Sequence, residues 1–168
     1  LNYLRVEDIS SDLSFKKHAV DDMVRQVIRK YAKIFISKKT KMNFKPTGSY
    51  IVTDDKWFVF VLEQLISNAL KYTKQGGKIV VSTEIKDDKI TIVISDTGCG
   101  ISSEDLPHVK EKFYKTNMTV HGSGIGLAVV DEIVRLHHGT FDIDSVLGQG
   151  TTVTVRFDID HVELEDVW

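Results

Sequence analysis

The sequence predicts an α+β two-layer sandwich: a mixed, mainly antiparallel sheet covered on one face by helices. Three observations carry this. The segments Lys78–Ile85 and Lys89–Asp96 alternate apolar and polar residues with the period of two that marks half-buried strands. The segments Val20–Phe35 and Trp57–Tyr72 instead repeat apolar residues every three to four positions, the period of a helix. Strands and helices are segregated along the chain and do not alternate strictly, which disfavours an all-parallel sheet.

In chain order, Val20, Met23, Val24, Val27, Ile28, Tyr31, Ile34 and Phe35 define one helical face, and Asp21 and Asp22 suit the positive end of its dipole. Lys41–Phe44 and Tyr50–Thr53 read as short strands on either side of a Pro46-Thr47-Gly48 turn. Within Trp57–Tyr72, Phe58, Val61, Leu62, Leu65 and Ala69 form an apolar stripe, while Gln64, Asn68 and Lys71 line a neighbouring one. A core helix thus presents an ordered row of polar groups. Asp87-Asp88 joins the two alternating segments into an antiparallel hairpin. Ser102–Lys112 reads as a short helix capped by Ser102 or Ser103, and the polar, aperiodic Lys115–Gly122 is expected to be mobile. A further helix follows the glycines of Gly122–Gly126, with Ile125, Val129, Ile133 and Leu136 inward and Gly139 ending it. Thr140–Ser145 and Thr151–Phe157 are the last strands, around the turn Leu147-Gly148-Gln149-Gly150, and the acidic stretch after Phe157 is expected to be a solvated end.

With 168 residues, 42% of them hydrophobic and 27% charged, one compact domain is expected. A net charge of −2 argues against a general nucleic-acid binder. The single cysteine, Cys99, excludes an internal disulfide and fits a reducing, cytoplasmic compartment. No apolar run approaches the roughly 20 residues that span a bilayer, so any membrane anchor is expected outside this chain.

The residues that carry chemistry begin with Asp96. The period of two places its carboxylate on the same core-facing side as Ile90, Ile92 and Ile94. An inward carboxylate needs donors, from nearby backbone or from a ligand. The following Gly98 and Gly100 favour the ligand, because they let the backbone pass close to a flat group. The glycines Gly122, Gly124 and Gly126 precede an apolar helix and would expose N–H groups at its N-terminus, a natural anion site. Their GxGxG spacing matches neither the dinucleotide fingerprint nor the P-loop. Asn68, with Lys71 one turn on, is either part of a half-exposed polar face or an oxygen ligand for Mg2+ beside a phosphate-facing cation. The histidines form no metal-ligand spacing, and Cys99 has no paired base.

In order, EQLISNALKYT (63–73), DTGCGI (96–101), EKFYK (111–115), GSGIGLAVV (122–130) and GQGTT (148–152) resemble the boxes of the histidine-kinase ATP-binding domain, in the superfamily shared with gyrase, MutL and heat-shock chaperone ATPases. The resemblance covers about residues 20–157 and implies a Bergerat-type sandwich that binds ATP and Mg2+ under a flexible lid. By motif position, Asn68 resembles the Mg2+ ligand, with Gln64 a possible second, and Asp96 resembles the acceptor of the adenine amino group. Gly98, Gly100 and Ile101 would lie beside the base, with Lys71 and Tyr72 flanking the nucleotide and Asn68 and Lys71 serving the chemical step. Phe113 and Lys115 resemble lid residues, and Gly122, Ser123, Gly124, Ile125, Gly126 and Leu127 the phosphate-side loop. Thr151 would stand near the adenine pocket. Two positions depart from the family pattern: Gln64, where many members have asparagine, and Lys110, where many have an aromatic residue opening the lid box.

The family's acceptor is a histidine followed by Glu or Asp, and none of His18, His108, His121, His137, His138 or His161 is so placed. The resemblance therefore implies γ-phosphoryl transfer to a histidine on a separate dimerisation domain, and onward to a response regulator. Residues 1–17 are expected to run from that domain's second helix into a linker, 18–157 to form the catalytic domain, and 158–168 a tail. The fragment is expected to be monomeric, within a membrane-anchored homodimer. A non-catalytic nucleotide-binding module and an anti-sigma-type serine kinase are the alternatives; phosphohistidine formation separates the first, and acid-stable phosphate on a partner the second.

Overall fold

A computed structural model of the chain describes residues 14–111 and 126–158. The order of elements is β1 (Lys16–Ala19), α1 (Val20–Lys30), α2 (Ala32–Ser37), β2 (Lys41–Lys45), β3 (Tyr50–Thr53), α3 (Asp55–Tyr72), β4 (Lys78–Lys86), β5 (Lys89–Asp96), a 3-10 turn (Leu106–His108), α4 (Gly126–Leu136), β6 (Thr140–Val146) and β7 (Gly150–Asp158). Five strands form one sheet in the order β2-β4-β5-β7-β6. Only the β2–β4 pair is parallel. The expected mixed, mainly antiparallel sheet with a helical cover is what forms.

Alternation along β4 and β5 dictates the core. Ile79 and Val81 of β4, with Ile90, Ile92 and Ile94 of β5, are buried on one face, joined by Val155 and Phe157 of β7. α3 lies against this face, flanked by α1 and α4. It is more deeply buried than a single stripe predicts, because Trp57, Phe60, Ile66 and Leu70 are enclosed along with the expected Phe58, Val61, Leu62, Leu65 and Ala69. Asp54 starts the helix by accepting the Lys56 N–H at 2.7 Å, an N-cap bond. Thr73 ends it, its hydroxyl donating to the Ala69 carbonyl at 2.6 Å. The Trp57 ring stacks on His137, with centroids 3.8 Å apart, and meets Phe157 edge-on, so the start of α3 is locked to the end of α4 and to β7.

The structure departs from expectation in several places. The helical run from Val20 to Phe35 breaks at Tyr31, whose ψ of 11° leaves the helix. Beyond the break the inward face rotates: Phe35 is buried and Ile34, expected inside, is 46% exposed. β2 and β3 do not pair with each other. β2 joins the main sheet, and β3 pairs with β1, a strand the sequence reading omits and in which the expected boundary at residue 17 falls. Asp21 does more than complement a dipole, since its carboxylate accepts the N–H groups of Thr47 (3.0 Å) and Gly48 (2.8 Å) and fixes the turn between those strands.

Ser102 to Glu111 form turns and a 3-10 segment in place of the expected helix; Lys112 lies outside the described residues. Pro107 brings no N–H to an α-helical ladder, and most of the bonds that form, such as His108 N–H to the Asp105 carbonyl at 2.9 Å, span three residues, with a single four-residue turn from Leu106 N–H to the Ser102 carbonyl at 3.0 Å. Ser102 still caps, its hydroxyl accepting the Asp105 N–H at 3.2 Å. In α4, Leu136 is 49% exposed, and Val130 and Val134 are buried where it was expected. The helix ends in a Schellman arrangement, with Gly139 N–H bonding the Val134 carbonyl and His138 N–H that of Arg135. His138, at φ 57°, takes the left-handed position. No helix among the described residues is long and apolar enough to cross a membrane.

Candidate functional site

At one end of the sheet the apolar rows give way to polar ones. Asp96 closes β5 opposite Thr151 of β7, and Thr151 lies opposite Ser145 of β6. The Asp96 carboxylate is half-buried and accepts the Gly98 N–H at 2.8 Å and the Thr151 backbone N–H. Burial raises its pKa above the usual 3.8, against the lowering effect of those two donors. Desolvation therefore outweighs the bonds the protein supplies, and the carboxylate retains acceptor capacity for a further donor.

The loop after Asp96 is laced to its surroundings through its backbone. Cys99 N–H bonds the Tyr72 carbonyl at the end of α3 (3.2 Å), and Cys99 carbonyl accepts the Gly148 N–H from the β6–β7 turn (2.7 Å). Ile101 N–H donates to the Ser145 hydroxyl at 2.7 Å. Two glycines make this path possible. A Cβ on Gly98 would lie 2.6 Å from the Tyr72 carbonyl oxygen, and Gly100, at φ 71°, has no room for one beside the Val146 carbonyl.

The polar row of α3 runs along the side of this site. Tyr72 is half-buried at the glycine loop, Lys71 is exposed with its ammonium 5.9 Å from the Tyr72 ring centroid, and Asn68 is half-buried one turn earlier. Gln64 sits a further turn back, where a Cβ on Gly126 would overlap its amide oxygen. The row from Gln64 to Tyr72 is about 12 Å long at 1.5 Å per residue, and it connects the first turn of α4 with the loop beside Asp96.

The structure thus brings together Asp96, Gly98, Gly100, Ile101, Tyr72 and Thr151, with Asn68 and Lys71 on the adjoining helix. Gly126 and Leu127 open α4. Phe113, Lys115, Gly122, Ser123, Gly124 and Ile125, and with them the expected lid, lie outside the described residues. Lys110, the residue that stands where many family members have an aromatic one, is held within the fold: its ammonium donates to the Phe141 carbonyl, lies 4.5 Å from the Phe141 ring centroid, and pairs with Asp131 at 3.8 Å. It ties the start of the EKFYK segment to α4 and β6. Ser145 stands in none of the motifs legible in the sequence. Its only signal is a polar residue at an inward position of β6, which acquires meaning once the β6–β7 register is known.

The family model described as "Histidine kinase-, DNA gyrase B-, and HSP90-like ATPase" matches residues 53–161. Sensor histidine kinase YvrG of Bacillus subtilis is 30% identical over 153 residues, covering 89% of this chain and 25% of that protein. Sensor histidine kinase WalK of the same species is 35% identical over 132 residues, 75% of this chain and 21% of its own length. The chain therefore spans about a quarter of these curated relatives. Among solved structures, the catalytic domain of histidine kinase ThkA superposes with a TM-score of 0.78 at 19% identity, covering 87% of this chain and 96% of that one. The structure of ThkA in complex with response regulator protein TrrA matches with a TM-score of 0.76 at 18% identity, over 90% of this chain and 44% of that one.

Proposed function

Because the chain belongs to the family of histidine kinase-, DNA gyrase B- and HSP90-like ATPases, we propose that it is the catalytic domain of a sensor histidine kinase, which binds Mg-ATP and donates the γ-phosphoryl group to a histidine on a separate dimerisation domain. The observation that carries this reading is the Asp96 carboxylate, desolvated, held by two backbone donors and bordered by a glycine loop that excludes any Cβ. That cradle suits a flat ligand with an amino group. The naming of relatives as sensor histidine kinases supports the kinase branch.

In this reading Asp96 accepts from the adenine amino group, Gly98, Gly100 and Ile101 line the base, and Tyr72 and Thr151 border it. Asn68 offers its amide oxygen to Mg2+, with Gln64 a second oxygen, and Lys71 faces phosphate. Mg2+ bound there neutralises charge on the phosphate oxygens. Gly126 and Leu127 begin α4, whose N-terminal N–H groups favour an anion. By motif position the reading assigns Phe113 and Lys115 to the lid and Gly122 to Ile125 to the phosphate-side loop. Catalysis is then positioning and electrostatic stabilisation. Gln64 stands where related ATPases carry a glutamate, and an amide cannot take a proton from water as a general base. Hydrolysis without an acceptor is accordingly slow.

The same reading assigns residues 1–17 to the lead-in from the dimerisation helix, with Lys16 and Lys17 already in β1, residues 18–157 to the catalytic domain, and 158–168 to a tail, with Asp158 still in β7 opposite Lys89. It places the fragment as a monomer within a membrane-anchored homodimer that passes phosphate to a response regulator. The test is a titration with ATP with and without Mg2+, followed by addition of a dimeric acceptor domain and labelled ATP. Acid-labile phosphohistidine is expected. Brisk ATP hydrolysis in the absence of any acceptor would move the chain to the ATPase branch.

A further inference from the structure

Across β5, β7 and β6 the helix-facing residues fall in register: Ile92, Val155 and Phe141 form one row, Ile94, Val153 and Ile143 the next. The row after these is Asp96, Thr151 and Ser145. The core pattern thus ends in three adjacent polar side chains, of which the two outer ones flank Thr151.

Ser145 touches three groups. Its oxygen accepts the Ile101 N–H at 2.7 Å, lies 3.0 Å from the Gly150 carbonyl, and lies 2.8 Å from the Thr151 hydroxyl. A serine hydroxyl has one proton and two acceptor lone pairs. If the proton goes to the Gly150 carbonyl, both lone pairs are used, one by Ile101 N–H and one by the Thr151 O–H, and all three contacts are hydrogen bonds. If the proton goes instead to Thr151, the Gly150 carbonyl loses Ser145 and only two contacts are satisfied. Bond counting selects the first arrangement. It consumes the only proton on the Thr151 hydroxyl and leaves that oxygen with lone pairs alone, beside a carboxylate that is likewise an acceptor.

We propose that Ser145 is a specificity-determining residue: by taking the Thr151 proton it makes Asp96 and Thr151 a pair of adjacent acceptors, matched to the amino group of adenine and opposed to a keto oxygen in its place. Ser145 acts through Thr151 and need not touch the nucleotide. The inference rests on the ATP-site reading above.

The test compares binding of ATP and ITP, whose purine carries a keto oxygen where adenine has the amino group, to the intact chain by calorimetric titration. The wild type favours ATP. Ser145→Ala releases the Thr151 proton to rotate toward a keto oxygen, so the ATP-to-ITP preference falls about five- to ten-fold, the scale of one hydrogen bond. Ser145→Thr, which keeps the hydroxyl, retains the preference. Thr151→Val produces the same fall, and adding Ser145→Ala to it changes the preference no further. Uniform weakening of both nucleotides by Ser145→Ala, with the preference unchanged, overturns the proposal and marks Ser145 as structural; so do additive effects of the two substitutions. Should Ser145→Ala fail to fold, an unchanged preference in Thr151→Val overturns it equally. A wild-type chain that binds neither nucleotide refutes the ATP-site reading itself, whereas ATP binding with an unresponsive preference refutes only the role of Ser145.

Discussion

Replacing Asp96 by asparagine separates binding from stability more cleanly than any other change at this site. In the free protein the carboxylate accepts Gly98 N–H and Thr151 N–H. With adenine bound it meets a third donor. A carboxylate answers three donors with two oxygens, but asparagine has one oxygen and places an NH2 where the other stood. If the oxygen stays on Gly98, the NH2 faces either Thr151 N–H or the base. The variant therefore loses a hydrogen bond to a charged acceptor, about 1.5–3 kcal/mol, and leaves a donor against a donor, about 1–3 kcal/mol more. Together these predict ATP binding about 10²- to 10⁴-fold weaker. Apo stability moves the other way or hardly at all. Ionised Asp96 is disfavoured by burial, so neutralising it offsets the lost backbone bond, and the change should stay within about 1 kcal/mol. Calorimetric titration with ATP and thermal unfolding of the apo chain measure the two quantities. ATP affinity within three-fold of wild type in a folded Asp96→Asn variant would refute the role assigned to this carboxylate.

Four further outcomes follow from named contacts. As pH falls, ATP affinity declines at a higher pH than an ordinary aspartate of pKa 3.8 would give, because the raised Asp96 pKa protonates the acceptor early; for apo stability the sign is opposite, with the protonated form's contribution fully present below 3.8 and lost as pH rises through the raised value. Asn68→Ala should abolish the Mg2+-dependent part of ATP affinity, so that titrations with Mg2+ and with EDTA coincide; a persisting Mg2+ effect would remove Asn68 from the metal site. Lys110→Met breaks the pairing with Asp131 and the contact with Phe141 and should cost about 1 kcal/mol in thermal unfolding with ATP affinity intact. Lost affinity at unchanged stability would instead mean that Lys110 meets phosphate. Gly98→Ala forces a Cβ to 2.6 Å from the Tyr72 carbonyl, and about 1–3 kcal/mol of destabilisation with loss of nucleotide binding is expected; a neutral alanine variant would show that the loop has slack.

What can be read from one sequence depends on whether the determining interaction is local. The β4–β5 hairpin and the body of α3 are legible because period and turn are properties of consecutive residues. Asp96 is legible for the same reason: counting by twos from Ile90 puts it inward. The break at Tyr31 is not, since apolar residues continue through it and only the docking of Phe35 against the core reveals that the face has turned. The separation of β2 from β3 is equally invisible. Strands of four and five residues around a Pro-Gly turn look like a hairpin, and the partners that decide otherwise, β4 and β1, lie elsewhere in the chain.

The candidate site divides along the same line. Motif spacing picks out Asn68, Asp96 and Thr151, each within a recognisable local pattern. Ser145 escapes it, and Lys110 is marked only as a departure from the pattern, because the contacts of both are set by residues distant in the chain: Ser145 becomes the neighbour of Thr151 only through the β6–β7 register, and Lys110 becomes a tie only when Asp131 and Phe141 arrive beside it. The register supplies one further step. Rows that bury isoleucine and valine continue, without any change of period, into Asp96, Thr151 and Ser145. The alternation that builds the core therefore also aims these three polar side chains at the same side of the sheet, with α3 and its polar row alongside. A one-residue slip of β7 against β5 would turn Thr151 to the opposite face and break the row. Packing of the apolar rows thus sets the alignment of the polar one, and the precision of the site rests on the precision of the core beneath it.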